Sequence, residues 1–453
     1  MSGLLRGIRL VVVAVALATL SGSVAFGDDW PQWMGSQRDG VWRETGILKK
    51  LPKDGLKPEW RCELAQGYSG PAVADGKIFV TDWQRAANVK PPSSAFSRAQ
   101  MAGKERVHCM DQKTGKVIWT HEYPCNYSVS YPGGPRCTPL YHDGKVYTLG
   151  TMGNLFCLDV KDKRVIWSKD FVKDYGSAVP LWGFAAHPLL SGDRLICIVG
   201  GKDKSLVVAF HKDTGKELWR AADTGGEGPG YCPPVIVKVG SVRQLIIWDP
   251  EAIRGLDPES GKIHWTEPFQ LRAGLSIPMP RLEGDRLFVT AFYNGPVMLQ
   301  LAQDKPGARV LWRGRSNSER KTDGLHSIMT TPVVKDGFIY GVCSYGQLRC
   351  LRVDSGARVW ESLEATGGKE ERWGHAFIIP HEDRYFLFNE HGELIIADLS
   401  PDGYREQSRA KIIEPTNNMA GRWVVWMHPA FANKTIYVRN DREILAISLA
   451  EKK

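Results

Sequence analysis

Residues 330–360 read TTPVVKDGFIYGVCSYGQLRCLRVDSGARVW, and the fold follows from how this stretch is punctuated. Val333 and Val334 lead into the turn Asp336–Gly337, after which come Phe338, Ile339 and Tyr340. A second turn at Tyr345, Gly346 and Gln347 precedes the run 348–353, and a third at Asp354, Ser355 and Gly356 precedes Arg358, Val359 and Trp360. Short apolar runs rich in β-branched and aromatic residues, bounded by Gly or Asp-Gly, describe a four-strand antiparallel meander.

Such a sheet cannot bury both faces alone, so a chain built from it must stack copies. The closing tryptophan recurs as Trp60, Trp119, Trp167, Trp219, Trp265, Trp312 and Trp360, and the intervals after Trp119 are 48, 52, 46, 47 and 48 residues. Four strands per unit at that period predict a β-propeller. A seventh, degenerate unit runs from Phe377 to Asp402 and Gly403, with Tyr404 where the tryptophan is expected. The strand around Trp60 has no meander before it, while 429–449 supplies three strands and no closing one. The expected architecture is therefore an all-β, eight-bladed propeller whose last blade is closed by an N-terminal strand, which removes exposed sheet edges. The interval from Trp60 to Trp119 is 59, and its excess is assigned to a surface loop inserted between Trp83 and Arg106.

Of 453 residues, 43% are hydrophobic and 10% aromatic, ample for a large globular fold. Residues 1–27 read differently: Arg6 and Arg9, an apolar run at 10–20, then small residues, the layout of a cleaved secretory signal with no cysteine behind it for lipid attachment. Its removal lowers the formal charge from +9 to +7. No later segment is apolar enough to span a bilayer, so a periplasmic or secreted monomer without a transmembrane segment is expected. Residues 28–56 form a turn-rich leader containing Trp30 and Trp33, expected to pack across the body formed by 57–453. The densest basic stretch, Arg313, Arg315, Arg320 and Lys321, has no interleaved aromatics for base stacking, so it reads as a solvated loop and nucleic acid is not expected as a partner. Nine cysteines cannot all pair; Cys109, Cys157 and Cys350 share one slot of the repeat and read as core, whereas Cys125 and Cys137 are the candidates for a disulfide.

The pattern Pro-x-Val-x-x-Asp-Gly-x-x-Tyr, Gly-x-Leu-x-Cys-Leu-Asp, Thr-Gly-x-x-x-Trp resembles the pyrroloquinoline-quinone (PQQ)-like, BamB-type repeat propeller family over residues 57–449. The leader, Trp30-Pro31-Gln32-Trp33 with Arg38-Asp39-Gly40, looks like that of exported members abundant in planctomycete-type bacteria. The resemblance implies one of two functions. The scaffold members imply a non-catalytic binding module for envelope proteins. The quinoprotein alcohol and sugar dehydrogenases imply PQQ stacked in the funnel between a tryptophan and a ring of two adjacent cysteines, a calcium ion held by Glu and Asn, and an Asp base. No two cysteines are adjacent here, and no Cys-x-x-Cys-His haem motif occurs. The glycine-rich run 225–230 lacks the Lys-Ser/Thr of a phosphate loop.

Residues just before each blade's first strand converge on one channel entrance. That slot holds Tyr68, Arg136, Trp182, His187, Tyr231, His326, Trp373, His375, Trp426 and His428, a mixture suited to gripping an envelope protein or a small ligand. Neither a catalytic residue nor a resident cofactor or metal is assigned. The expectation is an exported binding or scaffold module, with the PQQ/Ca-dependent dehydrogenase as the alternative.

Overall fold

Turn chemistry folds each repeat on itself. In the unit quoted above, Asp336 (φ 54°) and Gly337 (φ 79°) take the left-handed conformation that a tight hairpin between Val333–Lys335 and Phe338–Val342 requires. The computed structural model describes residues 28–419 and 421–451; the signal segment assigned to 1–27 lies outside the described residues. It contains eight four-stranded antiparallel sheets, seven with their strands in chain order. Blade 1 begins at Ala72–Ala74, blade 2 at Leu140–His142, blade 3 at Leu189–Ser191, blade 4 at Val235–Val239 and blade 5 at Arg281–Glu283. Blade 6 begins at Val333–Lys335 and blade 7 at Ala376–His381. The eighth sheet joins Ala430–Ala432, Thr435–Arg439 and Glu443–Ser448 to Trp60–Glu63, with Trp60 opposite Ala446. The ring is thus closed by an N-terminal strand.

The tryptophan repeat has a mechanical reason. Each indole lies opposite a slender residue of the neighbouring strand: Cys109, Cys157, Ala209, Gly255, Met298, Cys350 or Ala446. In blades 1 to 6 the register slips one residue beyond that pair, a bulge that re-aims the side chain. The ring then reaches the next blade, where Nε1 of Trp60, Trp119, Trp167, Trp312 and Trp360 donates to the carbonyl of Gln112, Val160, Lys212, Val353 and Ser400. The turn glycine of the next blade completes the lock. A Cβ on Gly115 (φ 69°) would sit 2.3 Å from the Trp60 ring. Blade 7 corrects the assignment of Tyr404: the slot before the register slip is Ser408, opposite Ile396, because the strand Gly403–Lys411 runs longer before that slot than the closing strands of blades 1 to 4 and 6.

The leader supplies what blade 7 lacks. Leu51 N donates to Ser408 Oγ at 2.8 Å, and Trp42 is buried among His381, Phe386 and Phe431. Earlier in the leader, Trp30 exchanges both backbone hydrogen bonds with Val73, at 2.8 Å each. Arg38 Nη1 then reaches the Pro188 carbonyl at 2.9 Å, and Nη2 that of Pro234 at 3.4 Å. These contacts on blades 1, 3, 4, 7 and 8 carry the leader across the end of the channel where the first strands turn into the second.

All nine cysteines are free. Cys125 and Cys137 do not pair, because they belong to different packing clusters: Cys125 lies with Trp83 and Tyr127, Cys137 with Leu140 and Cys197.

Candidate functional site

The opposite end of the channel opens into a cavity of about 380 Å³. Tyr68, Arg136, Trp182, His187, Tyr231, Trp373, Trp426 and His428 line it, each delivered by the segment that enters a blade's innermost strand. His326 and His375 do not line it. The His326 ring turns away to Phe292 O and Asp323 Oδ1, both at 3.3 Å, and His375 is buried behind Trp426 with Nδ1 3.5 Å from Glu390 Oε2. In these two blades the entering chain puts Ile328 and Met329, or Trp373 and Phe377, into the wall instead.

Other lining residues had no signal in the repeat. Trp33 of the leader forms the floor, stacked on His187 (centroids 4.7 Å, planes 20° apart) and edge-on to His428 at 6.1 Å. The insertion of blade 1 is a surface loop shorter than the sequence suggests: strands Lys77–Arg85 and Gly103–Asp111 pair up to Arg85 and Gly103, and from the remaining residues 86–102 Phe96 reaches the cavity. There Phe96 meets Tyr131 edge-on at 5.1 Å and lies 6.3 Å from Trp373, while remaining 54% exposed. The Ala95 carbonyl ties the loop down by accepting from Tyr131 N at 2.6 Å. Tyr131 (φ 53°) and Trp373 (φ 65°) both hold a left-handed backbone that bulky residues rarely adopt, at a cost on the order of 1 kcal/mol each. Hydrogen bonds from Arg136 Nη2 to Tyr131 O (2.5 Å) and from Trp373 N to Ser344 O (2.8 Å) impose it. Two ring planes are thereby held toward the opening.

The wall is apolar and nearly uncharged. Burial, reinforced by Arg38 and then His428, pushes the His187 imidazole well below its ordinary range. Burial likewise lowers His428 to about 4, so both rings are neutral near pH 7. Burial raises the Tyr68 and Tyr231 phenols to about 12, keeping them protonated. Two arginines remain. Arg136 stacks on Tyr68 at 5.0 Å with its guanidinium donating to the carbonyls of Ser130, Tyr131 and Gly134. Arg372 stacks on Trp373 at 4.5 Å and pairs with Glu319 at 2.7 Å.

The family described as "Outer membrane protein assembly factor BamB" matches residues 103–362 and 249–453. The chain belongs to this BamB-type, PQQ-like repeat family. One curated member, the outer membrane protein assembly factor BamB of Yersinia pestis, is 25% identical over 203 residues, 42% of this chain. That alignment spans 48% of the relative, about half its length. Among solved structures, BamB from Moraxella catarrhalis superposes with a TM-score of 0.55 at 14% identity, covering 88% of this chain and 99% of that one. Quinohemoprotein alcohol dehydrogenase from Comamonas testosteroni superposes with a TM-score of 0.58 at 12% identity, covering 94% and 81%. At such identities the likeness is one of fold.

Calcium and a quinone can be tested against the residues present. The cavity wall carries no Asp, Glu, Asn or Gln, so it offers none of the carboxylate or side-chain amide oxygens from which the Glu and Asn of a quinoprotein calcium site are drawn. Among the described residues no group of three or more His, Cys, Asp or Glu side chains could hold a metal. Free, separated cysteines provide no counterpart of the adjacent pair. The residues of this cavity do not fit the calcium–quinone arrangement.

Proposed function

We propose that this propeller is an exported binding or scaffold module of the cell envelope, which grips its partner through the cavity at the channel mouth. The observation that carries the reading is the cavity wall: tryptophans and tyrosines on rigid blade entries, two of them held in a left-handed backbone, around a space without a carboxylate or a nucleophile–base pair. Large amphipathic rings positioned by a scaffold are what binding hot spots are made of. The names of the family and of its Yersinia and Moraxella members support an envelope role. Among the described residues no helix is long and apolar enough to cross a membrane.

The test is a pull-down from envelope extract, comparing the natural protein with Trp182→Ala and Trp373→Ala. Loss of a recovered partner in both variants is expected. Equal recovery places the binding surface elsewhere. Incubation with PQQ and Ca²⁺ followed by dye reduction with alcohols or sugars tests the dehydrogenase alternative, and turnover there would overturn the non-catalytic reading.

A further inference from the structure

We infer that the mouth takes an acidic peptide segment anchored by an aromatic side chain, a proposal that rests on the binding-module reading above. The first observation is where the uncompensated charge lies. Loops 271–275, 314–325 and 367–374 form one arc of the rim, tied together at Glu319, which accepts from Tyr293 and Tyr345 hydroxyls at 2.9 Å and from Arg372 at 2.7 Å. The acids of this arc are engaged: Glu319 with Arg372, Asp323 with the amide of Ser316 and with His326, Glu370 with Gln347, and Glu371 with Lys369 and Arg422. Among the described residues, the side chains of Arg272, Arg315, Arg320 and Lys321 have no carboxylate within 4.0 Å. Apart from Arg313, which pairs with Glu267 at 2.9 Å, the basic run of the sequence is therefore a free cationic edge.

The second observation is the division between inside and outside. The cavity is apolar, and its own arginines are occupied, Arg136 by carbonyls and Arg372 by Glu319. The unpaired cations sit on the exposed loops around it. Arg272 lies over Tyr293 at 4.4 Å and Arg320 over Tyr345 at 5.2 Å, so each guanidinium is braced by a ring while its edge stays open for a carboxylate. A ligand that satisfies both parts presents one flat apolar group inward and several separated negative charges outward. A compact aromatic acid puts its charge in the cavity, where no free cation waits. An anionic membrane is flat and offers nothing to enter it. An extended acidic peptide with a Trp or Phe matches both, and Phe96 on its tethered loop covers the anchor.

The experiment uses the full chain and fluorescence anisotropy of a short fluorescein-labelled peptide, one Trp flanked by Asp and Glu. Controls are the same peptide with Trp replaced by Ala, one with every acid replaced by Lys, and sedimentation with phosphatidylglycerol vesicles. Binding should weaken about tenfold or more when the anchor is Ala. Arg320→Glu combined with Lys321→Glu, two exposed side chains without an acidic partner, should weaken it by about tenfold at low ionic strength and far less at high salt. Phe96→Ala should weaken it without changing the salt dependence. Equal affinity for the acidic and lysine peptides, or no effect of the charge reversal, overturns the inference, as does vesicle binding without peptide binding. If the peptide fails while envelope pull-down still depends on Trp182 and Trp373, this inference falls and the module reading stands; if both fail, both fall.

Discussion

Trp119, Trp167 and Trp219 occupy the same slot in successive blades and are equally buried, at 9%, 8% and 8% exposure, yet their indole N–H groups differ. Trp119 donates to Val160 O at 2.8 Å and Trp167 to Lys212 O at 2.7 Å, whereas the buried Trp219 Nε1 has no partner. Replacing each by Phe removes a similar volume, costing about 1–2 kcal/mol in all three. At Trp119 and Trp167 the change also breaks a hydrogen bond and leaves a carbonyl, buried at Val160 and partly buried at Lys212, without that donor, a further loss of about 1–3 kcal/mol. At Trp219 it removes an unpaired N–H whose burial already costs about 1–3 kcal/mol, so the two effects offset. Trp219→Phe should be close to neutral, and Trp119→Phe and Trp167→Phe should be less stable than it by about 2 kcal/mol or more. Guanidinium unfolding followed by circular dichroism and fluorescence measures this, with coincident transitions checking that one free energy describes each variant. Equal destabilisation in all three, within about 0.5 kcal/mol, would refute the claim that blade-to-blade hydrogen bonds are what the repeated indole contributes.

Trp33→Ala removes the ring stacked on His187 at 4.7 Å and should destabilise by about 3 kcal/mol in a denaturant titration; no loss would show that the leader is not seated on the floor. His428 has a folded pKa of about 4 against an ordinary 6.5, so it withdraws up to about 3 kcal/mol of stability as pH falls through that window, with His187 acting in the same direction. Asp441, raised by burial to about 6 from 3.8, gains stability on acidification over 6 to 4. The two oppose, so Asp441→Asn should steepen the acid loss and His428→Gln should lessen it, as read by melting temperature against pH. Titration of the denatured, unreduced protein should find nine thiols, and seven would show a disulfide.

The ring was legible because its determinants are local and repeated. Turn glycines, apolar runs and one indole per unit each act within about fifty residues, and the slot opposite the indole even marks Cys109, Cys157 and Cys350 as core. Blade 7 failed because its closing residue, Ser408, carries no indole to count, and the compensation comes from Leu51, far away in the chain. The cavity was half legible for the same reason. Eight of its lining residues sit in the short segments that lead into the repeated first strands, but Trp33, Phe96 and Tyr131 reach it from the leader, the insertion and an inter-blade loop, which obey no period. His326 and His375 lie in the same lead-in segments, yet their rings turn to Asp323 and Glu390, partners that a register count does not reveal.

Closure of the ring and construction of the site depend on one segment of chain. Trp33 floors the cavity, Leu51 fills the vacant lock of blade 7, and Trp60 provides both the outer strand of blade 8 and the indole that grips blade 1 through Gln112 and Gly115. A lesion at Trp33, Leu51 or Trp60 therefore disturbs the packing of the fold as well as the cavity, so loss of binding in such a variant says nothing about contact with a ligand. The rim differs. Phe96, Arg320 and Lys321 are exposed and bear no part of the blade-to-blade lock. Function is separated from folding most cleanly there, and for that reason a change in affinity at the rim, with the unfolding midpoint unmoved, complements the wall variants Trp182→Ala and Trp373→Ala in connecting this cavity to a partner.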